Sequence, residues 1–339
     1  MLNNVEQLEQ YMARPSTALI EDVKKIKGDI TILGIGGKMG PTLAYLLKNA
    51  IDAAGTNQQV IGVSRFSQGT LQEELNDKGI ATIACDLLSD EELKKLPKTE
   101  NVIYMAGNKF GTQGNEHFTW AMNSYLPGRV AEHYKGSKIV VFSTGNVYPL
   151  SAVKNGGCDE SQAPNPVGEY GQSSLGRERV FTYFSHRDQT PMSIFRLNYA
   201  IDLRYGVLVE IARSVYSEQP IDVTMGHVNV IWQGSANEYA IRSLLHATTP
   251  PNIFNATGPE TLSVRWLAEQ FGKRFNKNPQ IIGQESDTAL LSNSSKAHRA
   301  FGYPSVSIEE LLDLIAYWID NDGEYINKPT HFQERKGRY

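Results

Sequence analysis

Cysteine is scarce in this chain: 339 residues hold only Cys85 and Cys158. Two thiols cannot build a disulfide framework, and neither sits in a Cys-x-x-Cys pair. A thiolate metal or redox site therefore lacks ligands, and a reducing compartment is the expected home. Basic charge is no more abundant. The 33 Lys and Arg are outnumbered by 37 Asp and Glu, for a net charge of −4. That excludes the basic field of a non-specific nucleic-acid binder. No apolar run approaches the ~18 residues of a membrane span. The opening "MLNNVEQLEQYMARPSTALIEDVKKIKGD" lacks the basic head and apolar core of a signal peptide. A cytoplasmic protein with a small-molecule ligand, and neither a nucleic-acid nor a membrane partner, is expected. The 7 histidines are scattered without metal-ligand spacing, so no metal is expected. There is no internal repeat and no low-complexity tract.

What is present is an alternation. "DITILG", "QVIGVS", "ATIACDL", "NVIYMAG", "KIVVFST" and "MSIFRL" are short and apolar throughout, and longer helical patterns separate them. Strands buried on both faces of a parallel sheet read this way. The spacing predicts an α/β fold: a doubly wound parallel Rossmann sheet with a smaller C-terminal α/β substrate domain. The Rossmann domain is placed at 1–200, preceded by an N-terminal helical extension at 1–27. The smaller domain is placed at 201–339, with part of 225–250 returning to the first. In the second part Ser263 reads as an N-cap with Leu262 and Leu267 as a hydrophobic staple. Ser307 and Glu310 read as a capping box before a face of Ile308, Leu311, Leu312, Ile315 and Ile319. The polar tail "THFQERKGRY" reads equally as an ordered arm or as frayed.

"TILGIGGKMGPTLAYLL" puts Gly34, Gly37 and Gly40 between the first strand and a helix, with Gly36 as an extra glycine. The first permits a tight turn, the middle one lets backbone approach a pyrophosphate, and the last lets helix pack on strand. Lys38 and Met39 belong to the same loop. After the second strand, where an NAD site carries an acid, stand Ser64 and Arg65. An arginine there meets a 2′-phosphate, and Lys38 adds positive charge nearby, which tilts the expected cofactor from NAD toward NADP. The alternative is a solvated Arg65. Asp86 and Leu87, then Ala106 and Gly107, close the third and fourth strands, at the carboxyl edge where ligands bind.

Together these features resemble the extended short-chain dehydrogenase/reductase family of the NAD-dependent epimerase/dehydratase type, over roughly the whole chain. "GIGGKMG" is similar to that family's GxxGxxG, and "CDLLSD" to the strand whose aspartate lies near the adenine. "MAGNKFG" resembles its fourth-strand motif, with Lys109 where some sugar epimerases place a lysine near the cofactor. Asn123 matches a structural asparagine near the site. The resemblance of "VVFSTGNVYP" makes Thr144 the catalytic Ser/Thr, and that of "NPVGEYGQSS" makes Tyr170 the catalytic tyrosine, also close to the cofactor. "FNATGPETLSVRWLAEQFG" is typical of the family's second domain.

The family's lysine four residues after the tyrosine is absent; Ser174 stands there. A serine can hydrogen-bond a ribose but brings no charge to favour phenolate, and free tyrosine titrates near ~10. Arg177, two helical turns from Tyr170, is a candidate replacement, although a surface arginine is the ordinary reading. "RLNYAIDLRYG" sets Asn198 and Tyr199 one residue off the family's spacing. In "NVIWQGSANEYA" Gln233 and Gly234 replace an acid pair. Glu160 reads either as a second acid or base or as a solvated loop acid. The resemblance implies an NAD(P)-dependent oxidoreductase or epimerase acting on a sugar or sugar-derived hydroxy acid, and a homodimer. The alternatives are a non-catalytic NAD(P)-binding protein and a sugar dehydratase.

Overall fold

Seven short strands form one parallel sheet in the computed structural model, which describes residues 1–338 except Gln68 and Phe110. They are β1 (Ile30–Leu33), β2 (Val60–Ser64), β3 (Ala81–Ala84), β4 (Asn101–Tyr104), β5 (Lys138–Thr144), β6 (Met192–Leu197) and β7 (Asn252–Ala256). Their order across the sheet is β7-β6-β5-β4-β1-β2-β3, with every pair parallel. The chain reverses its direction of travel between β1 and β4. A crevice therefore opens there at the carboxyl ends of the strands.

The unbroken apolar runs have their reason in the packing. Ile32, Ile103, Val140 and Phe195 face one core, whereas Leu33, Tyr104, Val141 and Ile194 face another. Alternate residues of β1, β4, β5 and β6 thus enter opposite cores, and both must be apolar. Helices α1 (Val5–Met12), α2 (Thr17–Val23) and α3 (Gly40–Ala54) come before β2, and α4 (Leu126–His133) and α5 (Gly168–Asp188) flank β5. A single π-helical turn, Ala121–Tyr125, leads into α4.

A further core gathers α6 (Val207–Tyr216), α8 (Val264–Phe275) and α9 (Ile308–Asp320). Between them in the chain, α7 (Gln233–Arg242) returns to pack on α3 beside the sheet. Gln233 and Asn237 pin it there by donating to Thr42 Oγ1 at 2.9 and 3.1 Å. Ser263 caps α8 by accepting from Trp266 N at 3.2 Å, and Leu262 and Leu267 share the core beneath. Ser307 caps α9, but Glu310 does not close the box back onto it. Its carboxylate accepts instead from the Tyr11 hydroxyl at 3.0 Å.

That contact shows what the N-terminal segment does. Leu8 and Met12 of α1 are buried in the core of α6, α8 and α9, whereas Ala13, Leu19 and Val23 are buried against the sheet. The segment is a clasp over both cores rather than an appendage. The tail is likewise an ordered arm. Thr330 is held by Glu210, Phe332 is buried, Arg335 donates to Thr288, and Gly337 lies against Gly168 at the start of α5.

Candidate active site

The glycine loop is shaped by two close approaches. Gly34 has φ +88°, and a Cβ there would come within 2.7 Å of Ala106 N, where the loop meets the end of β4. A Cβ on Gly40 would sit 2.6 Å from the carbonyl carbon of Ile35, so only glycine lets α3 start against the loop. Gly37 differs: its Cβ direction is open but for Gly34 O at 3.4 Å, and it faces the cleft. The residues fit a dinucleotide: a tight turn, exposed backbone at Gly36 and Gly37, and α3 beginning behind them.

The cleft in front of this loop has a volume of about 810 Å³. It collects Gly34, Gly37, Lys38, Met39, Gly107 and Lys109 from the sequence-derived cofactor set, and both Thr144 and Tyr170. Thr144 ends β5. Its hydroxyl donates to Asn146 Oδ1 at 3.0 Å and accepts from Asn146 N at 3.2 Å. Tyr170 is in the first turn of α5. Asn198 and Tyr199 also line the cleft despite their shifted spacing. Tyr199 takes a left-handed φ of 47°, and among the described residues Asn198 Nδ2 has no hydrogen-bond partner.

Other expected residues lie elsewhere. Asn123 is wholly buried behind the wall. Its Oδ1 accepts from Asn108 N at 2.8 Å and Arg177 Nη2 at 2.6 Å, and its Nδ2 donates to Asn108 O and Ser173 Oγ. It braces the loop after β4 against α5, and the π-helical turn aims it there. Ser174 is 0% exposed, is not in the cleft wall, and its Oγ has no partner among the described residues. Arg177 corrects the surface reading. It is 6% exposed, donates to Phe142 O at 2.8 Å, and fills the space beside Gly107. Ala106 is buried beneath Gly34, while Ser64 packs against Gly36. Arg65 is exposed and, among the described residues, has neither hydrogen bond nor ion pair. Asp86 is exposed, with Oδ1 accepting from Leu88 N, and Leu87 is buried; neither lines the cleft.

Lys38 needs a correction too. Its ammonium does not add to Arg65. It stands 4.3 Å from the Tyr205 ring centroid and 3.4 Å from Ala200 O, across the cleft. Burial pulls it down to about 8, with Asp202 opposing and Arg204 adding to the shift. Lys109 is also pulled to about 8, by burial first and by the charge of Lys38 second. Glu160 does not face the cleft; its carboxylate accepts from Asn255 N at 2.8 Å. That ties it to a buried network in which Arg196 bridges Glu178 (2.7 Å) and Tyr148 (2.6 Å), and Tyr148 donates to Asn255.

Several lining residues escaped sequence reasoning: Glu9 from the N-terminal clasp, Arg204 and Tyr205 after β6, and Lys328 and Thr330 from the arm. Glu9 and Arg204 pair at 3.1 Å. The signal available for Arg204 was its place just beyond a strand's carboxyl end. Nothing local marks Glu9 or Lys328. Among the described residues no His, Cys, Asp and Glu group is arranged to hold a metal, and no helix is long and apolar enough to cross a membrane.

No protein-family model and no curated protein matches the sequence. Solved structures do match the fold. A UDP-glucose 4-epimerase from Thermotoga maritima, solved with UDP-glucose, superposes with a TM-score of 0.67 at 16% identity, over 87% of this chain and 99% of that one. An epimerase from Methanothermobacter thermautotrophicus gives 0.71 at 17% identity, over 91% and 99%. A UDP-glucuronic acid 4-epimerase from Bacillus cereus in complex with NAD gives 0.68 at 19% identity, over 86% and 96%. With its parallel seven-stranded sheet, its glycine loop at β1 and its second helical core, the chain has the fold of the extended short-chain dehydrogenase/reductases of the NAD-dependent epimerase/dehydratase type.

Proposed function

We propose that the chain is an NAD(P)-dependent oxidoreductase or epimerase that acts on a sugar or sugar-derived hydroxy acid by hydride transfer. The observation that carries this is the convergence of Thr144, Tyr170 and the glycine loop on one cleft. Gly34, Gly36 and Gly37 would hold the cofactor's pyrophosphate, with Lys109 near its nicotinamide end. Bound NAD(P) supplies the hydride acceptor and donor. Tyr170 exchanges a proton with the substrate oxygen, and Thr144 hydrogen-bonds the same oxygen and polarises it. The UDP-glucose and NAD held by the structural neighbours accord with this reading. The dehydratase alternative loses support because Glu160 is engaged by Asn255 outside the cleft.

Three finer readings belong with it. Arg65, exposed and unengaged among the described residues beside the glycine loop, favours NADP over NAD. The core of α6, α8 and α9 serves as the substrate-binding domain of a cytoplasmic enzyme. A homodimer would pair α4 and α5 about a two-fold axis, where Tyr125 and Tyr183 are 59% and 60% exposed. A clean monomer in sedimentation at micromolar concentration would overturn this last point.

The main test has two readouts. Fluorescence titration with NADH and NADPH should show binding, and Tyr170→Phe should bind equally well. Turnover of a panel of sugars and sugar acids should vanish in Tyr170→Phe. Full activity in that variant sinks the tyrosine mechanism, and absence of binding by the unaltered protein sinks the whole reading.

A further inference from the structure

The arm that ends the chain closes the far side of the cleft. Ile326, Lys328 and Thr330 line the cleft and also a second hollow of about 420 Å³, so this stretch is a partition between two spaces. The arm then crosses toward the catalytic candidates. Glu334, Arg335 and Gly337 come against Val167 and against Asn146, the partner of Thr144, and leave a void of only about 20 Å³ there. That is room for one water. The crossing is anchored along its length. The Glu210 carboxylate accepts from Thr330 N at 3.1 Å and from Thr330 Oγ1 at 2.5 Å. Phe332 is buried in the core of α6, α8 and α9. Arg335 donates to Thr288 O at 2.8 Å and to Thr288 Oγ1 at 2.6 Å. Gly337 and Gly168 both have left-handed backbone, with φ +72° and +76°, and a Cβ on either would strike the backbone of the other. Only a pair of glycines lets the arm lie so close to the start of α5, two residues before Tyr170.

We propose that this arm sets the size of the substrate: it walls off the space beyond Thr144 and Tyr170, so that the reacting molecule is a free sugar or sugar acid of one ring, with no nucleotide attached. This rests on the reading that the sugar oxygen reacts between those two residues beside a bound NAD(P). The cleft's volume of about 810 Å³ lies in the range of ~300–1,000 Å³ that encloses one drug-sized ligand. The cofactor takes most of that space, and the remainder suits one ring. A nucleotide joined to the ring would have to pass through the partition or through the water-sized void behind Asn146.

The test compares three full-length proteins: the unaltered chain, a Thr330→Val, Phe332→Ala, Arg335→Ala variant whose arm has lost its anchors, and Gly337→Val, whose side chain would lift the arm off α5. UDP-glucose and UDP-glucuronic acid are titrated into each by calorimetry, with and without NADPH. The unaltered chain should bind neither at millimolar concentration. The altered proteins should bind them, with affinity raised by at least about tenfold. Displacing the arm joins the cleft to the outer hollow, where Arg213 stacks on the Tyr325 ring at 4.3 Å and has no ion pair among the described residues. A diphosphate would supply that pair. A UDP-sugar bound by the unaltered chain overturns the proposal, and so does continued exclusion by both altered proteins. Should the triple variant not fold, Gly337→Val decides alone. NADPH fluorescence on the same samples separates the two claims. Failure of the unaltered chain to bind NADPH sinks the cofactor reading and leaves the exclusion standing, whereas a UDP-sugar bound beside NADPH does the reverse.

Discussion

Cofactor affinity should fall steeply with alkalinity, because the cleft holds two ammonium groups it disfavours. Lys38 and Lys109 are both pulled from 10.5 to about 8, chiefly by burial. In the free protein the neutral amines are favoured above that value. The cost of keeping the two groups charged is therefore fully present below about pH 8 and is relieved as pH rises toward the ordinary value. An anion in the cleft reverses the preference by restoring the ammonium form, so binding takes up protons. Affinity should then be complete below about pH 8 and lost above it. If binding restores each lysine by between one and two units, the loss from about pH 7 to about pH 9 is roughly five- to tenfold per lysine, or about 1 kcal/mol each. The assay is NADPH fluorescence titration across that range at constant ionic strength. Lys38→Met should bind more weakly at neutral pH and show about half the slope. An affinity flat between pH 7 and pH 9 would refute the argument. So would a Lys38→Met variant with the full slope.

Arg65→Ala should weaken NADPH by about ten- to a hundredfold and leave NADH unchanged, since a charge-assisted contact to phosphate is worth about 1.5–3 kcal/mol. Equal loss for both cofactors would count against the 2′-phosphate reading. Gly37→Val should fold with a normal melting temperature and lose cofactor, because its branched side chain would enter open cleft. Gly40→Ala should lower the melting temperature as well, because its Cβ meets the Ile35 carbonyl. Arg196→Met leaves Glu178 buried and unpaired and should cost about 3–5 kcal/mol in chemical denaturation, while Arg196→Met with Glu178→Met should recover most of it.

The sheet was legible because its central strands are buried on both faces. Apolar runs such as "KIVVFST" have no other economical use, and Gly34 and Gly40 after β1 occupy places that only glycine tolerates. Thr144 and Tyr170 were singled out by the resemblance of their motifs, and both line the cleft. Side-chain direction was less accessible. Lys38 was placed in the correct loop but aimed at the wrong neighbour, since a four-carbon stem from one backbone position reaches either side of a cleft. Arg177 looked like a surface residue because α5 is polar on nearly every face. Its buried niche is made by Asn123, on the π-helical turn, together with the Phe142 carbonyl. Glu9 and Lys328 belong to the cleft through contacts more than a hundred residues away in the chain, and periodicity carries no record of such contacts.

The wall of the cleft begins with Glu9 and is completed only by Thr330. Protein synthesis proceeds from the first of these residues to the second, and N-terminal parts generally fold first. During translation the nascent sheet can form while α1 still has half of its partners unmade: Leu8 and Met12 must wait for α6, α8 and α9. The cleft wall therefore needs the first helix and the arm as well as the sheet before it is complete.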